Sequence, residues 1–415
     1  MKKISSAFIF LLLTTSLLAQ TKDMLDVKIG QMLMIGLPNT QVDNALIEEI
    51  KSGKVGAILI FEKNIPKGTA SFVPLKKVIW TYQKAATIPL IVAIDQEGGK
   101  VNRLKEKYGF PRSITAQEIG KSKSLDSVRF YSEAMASTLA GLGINLNFAP
   151  VVDVAVNPAN TVIVKNGRSF SSNPDSVALF AEEFIKIHRK YGVATVLKHF
   201  PGHGSSLEDT HLGVADVTKS WTSAELIPYT KLLNASSVDA IMSAHIVNKV
   251  LDPAGYPGTL SKRMIDSLLR KQYHYDGVVF SDDMQMQAIT KQYGLEEAIR
   301  LAINAGVDIL CFSNNIQGSE ERTVGKVHAI IKSLVEKGQI KPERIDEAFT
   351  RIVALKSRIG SSSEEYLRNE LNAAREELGA LKQPQGPKPP VMEAKPVTEP
   401  VITPEDNSKK KKKKS

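Results

Sequence analysis

The run Lys198-His199-Phe200-Pro201-Gly202-His203-Gly204, followed closely by Asp209-Thr210-His211, gathers groups that can move protons. It puts three histidines, a lysine and two acids within positions 198–211 of a chain that holds seven histidines in all. Pro201, Gly202 and Gly204 interrupt any helix or strand there, so these groups sit on an irregular loop just after the apolar stretch 193–197. Titratable groups carried on a loop beyond an apolar run are the usual way a rigid scaffold presents chemistry. A surface loop with incidental histidines is the bland alternative. Zinc ligation by His199, His203, His211 and Asp209 is a further reading, but the spacings fit no familiar ligand pair. Pro201-Gly202 also prevents the helical i, i+4 face that such a pair needs.

The elements that must position this loop are eight apolar, β-rich runs at 31–36, 56–61, 90–95, 145–151, 195–200, 240–245, 277–282 and 306–312. Segments with helical periodicity lie between several of them, at 174–191, 223–235, 261–272 and 294–305. Strands that are apolar without alternation and separated by helices imply a parallel sheet covered on both faces. Eight such units predict a (β/α)8 TIM-type barrel, with an open doubly wound sheet as the runner-up. Asp95, Asp153, Lys198-His199, His245 and Asp282-Asp283 all fall at or just beyond the C-terminal ends of these runs. In a barrel those ends converge on one mouth, where active sites are built.

The chain has 415 residues, of which 42% are hydrophobic, enough to bury one large core. Positions 1–20 read as a secretory signal peptide: Lys2 and Lys3 precede an apolar stretch at 7–18, and Ala19 offers a cleavage site. That stretch is shorter than the ~20 residues needed to span a bilayer. Leu17, two residues before Ala19, fits the cleavage pattern less well than alanine. The single Cys311 cannot form an internal disulfide, so an exported protein of this sequence must be held together by its core. Of the formal net charge of +10, six units come from 409–414 and two from Lys2 and Lys3. The remaining body is nearly neutral, which gives no support for a nucleic-acid partner. The eight runs and their helices predict one folded domain over 21–360. Beyond it, 361–415 is a charged, helix-prone, then Pro-rich and Lys-rich stretch whose composition predicts a flexible tail. The lysine run is suited to contact with anionic surfaces, although a solvated tail is the reading its composition favours.

The stretches KHFPGHGSSLEDTH (198–211), AIDQEGGKVNRL (93–104), GRSFSSNP (167–174), MSAHI (242–246) and FSDDMQM (280–286) together resemble family 3 glycoside hydrolases. The resemblance is to their β-N-acetylhexosaminidase branch, which acts on N-acetylglucosamine in peptidoglycan fragments. It runs in the same order over roughly 25–358. It implies a retaining, exo-acting β-N-acetylglucosaminidase that needs no metal or cofactor, and a carbohydrate substrate with terminal β-linked N-acetylglucosamine. Asp282 maps onto the nucleophile, with Asp283 as the competitor, since neighbours on a strand point to opposite sides. His211 paired with Asp209 maps onto the acid/base. Imidazole, with an unperturbed pKa of ~6.5, can give and take a proton near neutrality, and a carboxylate neighbour orients it. Sugar-binding roles carry over to Asp95, Arg103, Arg168, Lys198 and His199. His203 reads as a structural residue of the loop, and His245 as either beside the site or packed at a strand end.

Two features depart from that pattern. The segment between Asn157-Pro158 and Arg168 is about two residues longer than is typical, which bears on Arg168 and the substrate contacts near it. The signal peptide implies an exported enzyme, periplasmic or extracellular, where many relatives of this kind are cytoplasmic. Two rival readings remain: phosphorolysis through the same covalent intermediate, and a non-catalytic sugar-binding protein.

Overall fold

Short strands that are apolar on both faces need cover on both faces, and this chain supplies it by alternating them with helices. The computed structural model describes residues 24–207, 213, 215–315 and 323–359; positions 1–20 and the expected tail lie outside them. All eight apolar runs form strands of one closed parallel barrel: β1 (Leu33–Gly36), β2 (Ala57–Ile60), β3 (Ile91–Ile94), β4 (Leu146–Asn147), β5 (Ala194–Phe200), β7 (Ala240–Ser243), β9 (Val278–Asp283) and β10 (Ile309–Phe312). The chain-order gaps are β6 (Ala215–Asp216) and β8 (Ile246–Val247), which pair with each other as a separate two-stranded sheet. Closure comes from β10 lying beside β1, with Leu33 opposite Leu310. That pairing excludes the open doubly wound sheet.

The expected strand at 145–151 is cut short. The strand ends at Asn147, although the Phe148 N–H still donates to the Ile94 carbonyl and the Ala149 carbonyl accepts from Val196, and Pro150 then has no N–H to give the ladder. Val151 only bridges Lys198, while the Val152 N–H donates to the Lys198 carbonyl at 2.9 Å. The early stop frees the following residues to turn across the mouth, which is where Asp153 is found.

The helices follow from local signals. Asn173 caps Pro174–Lys190 by accepting the N–H groups of Asp175 and Ser176, with Pro174 in the first turn. Val177, Ala178, Phe180, Ala181, Phe184, Ile185 and His188 then form one buried face toward the barrel. His188 shows how this packing reaches the mouth. Its Nδ1–H donates to the Phe184 carbonyl at 2.9 Å, leaving Nε2 to accept from Asn147 Nδ2 at 3.2 Å. Burial holds this imidazole neutral, with its pKa down to about 4. Asn147 in turn clasps the backbone of Gln96, accepting its N–H at 3.1 Å and donating to its carbonyl at 3.0 Å. A helix face therefore fixes the turn that carries Asp95 and Glu97. Among the described residues no helix is long and apolar enough to cross a membrane.

The opposite end of the barrel is closed by charge. Buried Asp308, at the start of β10, accepts from Arg270 at 2.6 Å and from Arg344 at 2.7 Å. The final helix, 342–359, places Lys356 beneath β1 and β2, where its ammonium donates to Gln31 Oε1 and the Gly56 carbonyl, both at 2.7 Å. Burial lowers its pKa from 10.5 to about 7. Between those values the unfolded chain holds a proton that the folded chain does not, so this group's contribution to stability improves as pH rises through that window. Lys356→Met removes the titration. The unfolding free energy of the wild type, measured relative to that variant, should climb from about pH 7 to 10 by up to about 1.4 kcal/mol per pH unit. A difference independent of pH would show that Lys356 titrates normally.

Candidate active site

The C-terminal ends of the strands surround a cavity of about 480 Å³. Its floor is the barrel interior, with Leu59, Phe61, Phe148, Met242 and Cys311, and its walls are charged. Asp95, Arg103, Arg168, Lys198, His199 and Asp282, six residues singled out in the sequence, all line it. The other two, Asp209 and His211, lie outside the described residues.

Lys198, on β5, is 2% exposed and reaches across to the turn after β3, with its ammonium 2.8 Å from Asp95 and 2.7 Å from Glu97. Glu97 also takes a forked pair from Arg168, Nε and Nη2 each at 2.8 Å. Arg168 Nη2 is 3.3 Å from His199 Nε2, and His199 Nδ1 is 2.7 Å from Asp153 Oδ2. With Nδ1–H donating to Asp153, Nε2 is left to accept from Arg168. At the far end, Arg103 Nη2 lies 3.4 Å from Asp95, and its guanidinium stands over the Phe61 ring at 5.5 Å. Seven side chains thus alternate in sign or polarity along one wall. The turn 97–103 that presents Arg103 is tight: Glu97 and Gly98 both donate backbone N–H to the Val101 carbonyl, and Gly98 and Gly99 take positive φ of 97° and 58°. Gln96 Oε1 then accepts the N–H groups of Arg103 and Leu104.

Burial alone pushes each of these carboxyls up, and their neighbours more than reverse it. Arg168 and Lys198 hold Glu97 well below the usual carboxylate range, Lys198 and Arg103 hold Asp95 down, and the bonds from His199 and His203 hold Asp153 down. Burial keeps His203 neutral, with its pKa at about 4. The expected structural role of His203 matches its contacts: its N–H donates to Asp153 Oδ1 at 2.8 Å, and its Nδ1 meets Ser206 Oγ at 2.7 Å.

Asp282 and Asp283 both border the cavity, although adjacent strand residues were expected to diverge. The pairing of β9 with β10 shifts register there, so regular alternation ends before the two aspartates. They differ in their bonds. Asp283 accepts from the Gln285 N–H at 3.1 Å, the Ser313 N–H at 3.2 Å and the Ser313 hydroxyl, and burial raises its pKa. It ties β9 to the end of β10. Asp282 Oδ1 accepts the Asp283 N–H at 2.8 Å. His245 is fully buried, and its Nε2 meets the Asp283 carbonyl at 2.9 Å, packing beneath the pair.

Glu97 and Asp153 are the members that sequence reasoning left without a binding role. Both sat inside stretches already singled out, but which cation each would meet depends on contacts 46 and 71 positions apart.

A charged pocket at the mouth of a parallel eight-stranded barrel defines a class of enzyme, and comparison with known proteins says which. Residues 24–355 match the family described as the glycosyl hydrolase family 3 N terminal domain. The chain belongs to that family and is a glycoside hydrolase. It is 32% identical over 292 residues to a β-hexosaminidase of Tolumonas auensis, covering 69% of this chain and 84% of that one. A family 3 β-N-acetylglucosaminidase from Paenibacillus superposes with a TM-score of 0.74 at 33% identity, over 81% of this chain and 62% of that one. A β-N-acetylhexosaminidase from Beutenbergia cavernae gives 0.70 at 28%, over 80% and 98%.

Glu97 is the hub of the wall, so its removal is the test of it. Glu97→Gln leaves Arg168 buried without its counter-charge, and losing one partner of a buried pair costs about 3–5 kcal/mol. Denaturant unfolding at pH 7 should show a loss of that order. Because Glu97 is held below its ordinary value of 4.5, the gap should be full above that pH and narrow as the pH falls further. A cost of about 1 kcal/mol or less, usual for exposed pairs, would mean that water reaches the pair.

Proposed function

We propose that this enzyme is a retaining, exo-acting β-N-acetylglucosaminidase that removes terminal N-acetylglucosamine from cell-wall fragments or chito-oligosaccharides. On the pattern of positions 1–20, it works outside the cytoplasm. The β-hexosaminidase relatives support the sugar. A cavity closed below by the barrel interior admits a chain end rather than a chain middle, which supports exo action. The carbohydrate is neutral, and so is the balance of the wall. Arg103, Arg168 and Lys198 are each already paired with a carboxylate, which suits forked bonds to hydroxyls better than capture of a phosphate ion. That favours hydrolysis over phosphorolysis.

One observation carries the division of roles. Asp95 and Glu97 are held ionised by cations, Asp153 by its bonds from His199 and His203, and both oxygens of Asp283 accept bonds. That leaves the wall suited to binding. On the resemblance of its motifs to those of the family, Asp282 is the nucleophile, and His211, oriented by Asp209, is the acid/base. A carboxylate oxygen of Asp282 attacks the anomeric carbon as the glycosidic C–O bond breaks, and His211 gives its proton to the departing oxygen. Water then attacks the same carbon, His211 takes the water's proton, and the bond to Asp282 breaks. Two inversions leave net retention. Asp95, Arg103, Arg168, Lys198 and His199 hold the sugar ring.

Asp282→Asn should abolish nearly all turnover without unfolding the barrel, and loss at Asp283→Asn instead would move the nucleophile by one residue. His211→Ala should slow natural aglycones by about 10²–10⁴, the usual range for general acid catalysis, and spare the first step on an activated aryl glycoside much more. The covalent intermediate should then accumulate as a burst, and azide should restore turnover with formation of the β-azide. Equal losses on both substrate types, with no burst and no rescue, would remove His211 from the mechanism.

A further inference from the structure

Behind the histidine run lies a buried acid that the proposed reaction does not use. The segment Ser223–Leu226 and the helix Ile227–Asn234 pack against β5 and the turn that follows it. Trp221, Glu225 and Tyr229, four positions apart, present one face to that turn. Trp221 Nε1 donates to the Pro201 carbonyl at 3.2 Å, Glu225 Oε2 accepts the Gly204 N–H at 2.7 Å, and Tyr229 meets Phe200 edge to face at 5.2 Å. The turn has no slack. A Cβ on Gly204 would lie 1.7 Å from the Val154 carbonyl oxygen, and one on Gly202 would lie 2.6 Å from Glu225 Cβ. Positions 202–204 are therefore gripped between the chain at Asp153-Val154 on one side and Glu225 on the other.

Two successive N–H groups of this turn are shared between two buried carboxyl groups. His203 N–H goes to Asp153 and Gly204 N–H to Glu225. Asp153 is also the partner of His199, so the seat of the turn and the orientation of His199 are mechanically one thing. Glu225 is fully buried, and the Ser205 hydroxyl and N–H also face its carboxyl. The titratable groups facing it are Asp153 from the end of β4, His203 from the turn and Tyr229 from its own helix. None of them supplies a positive charge, because His203 is held neutral.

We infer that Glu225 is a positioning residue for the sugar site: its carboxyl seats the turn 202–204 through the Gly204 N–H, and when it ionises, repulsion between it and the buried Asp153 anion outweighs the stronger hydrogen bond and loosens His199. Burial, with the charge of Asp153, raises its pKa to about 7, so the change falls near neutrality. The sugar half of this inference rests on the proposed role of His199, whereas the anchoring half does not.

Trp221 touches the turn and is one of two tryptophans, the other being exposed Trp80. The full chain carrying Trp80→Phe therefore reports the seat directly. Trp221 emission should titrate with a midpoint near 7, and Glu225→Gln in the same background should abolish that titration. N-acetylglucosamine should bind the Trp80→Phe protein more weakly at pH 8.5 than at pH 6, by roughly fivefold or more, the lower end of typical coupling between sites. The Glu225→Gln protein should bind it with the same affinity at both pH values. Glu225→Asp, which keeps a carboxyl but draws it back from Gly204, should weaken binding at both. A Trp221 titration that survives Glu225→Gln would overturn the anchor. Binding that is independent of pH, beside a Trp221 titration that does require Glu225, would overturn the positioning role alone. No binding of N-acetylglucosamine at either pH would sink the sugar assignment and the positioning role together, while leaving the Trp221 result to judge the anchor. Should Glu225→Gln not fold, Glu225→Asp decides, since unchanged affinity in that variant would overturn the proposal.

Discussion

Three cations at the mouth of the barrel, buried Lys198 and part-buried Arg168 and Arg103, are held by carboxylates that meet each of them, and Glu97 meets two. Charges taken out of water at this depth cost several kcal/mol apiece unless paired and hydrogen-bonded. The wall therefore stands or falls as a unit. Once formed, it offers an array of donors and acceptors already held in place, so a neutral sugar can exchange its water for fixed partners without much rearrangement of the protein.

Apart from Arg103 and Asp95, which both follow β3, neighbours along this wall come from different parts of the chain. Asp95 and Glu97 follow β3, Asp153 follows β4, Lys198 and His199 end β5, and the aspartate pair ends β9. Lys198 and Asp95 are 103 positions apart and meet only because the barrel closes. The scaffold reaches into the site by defined routes. His188 on an outer helix holds Asn147, which holds Gln96 between Asp95 and Glu97. The charges at the other end, around Asp308, perform no such service and read as stability devices, consistent with the division of labour between the two faces of such barrels.

The barrel was legible in the sequence because its strands are apolar without alternation, and only a doubly covered parallel sheet makes that pattern. All eight runs are strands, and β4 alone is much shorter than its apolar run, which includes Pro150 with no N–H to pair. The identity of the wall residues was legible from their motifs, but their pairing was not. Glu97 carried no assigned role in its motif, whereas the structure commits it to Arg168 and Lys198. Asp153 was visible only as a polar residue past a strand end. Glu225 carried no signal at all. It belongs to no motif quoted, and its depth comes from the turn folded over it rather than from its own neighbours in sequence.

The bonds of His199 limit what that histidine can do. His199 has both ring nitrogens engaged, Nδ1 by Asp153 and Nε2 by Arg168. An imidazole that is bonded at both ends and faces a guanidinium has no free nitrogen with which to pass a proton to a leaving oxygen and recover one from water. It can orient and bind, which is the role its position in the wall supports. The wall carboxylates are equally unsuited to proton transfer, because the neighbours that bury them also hold them ionised. In the proposed reaction proton transfer is assigned to His211 with Asp209, which follow β5 in sequence by fewer than a dozen residues and lie outside the described residues.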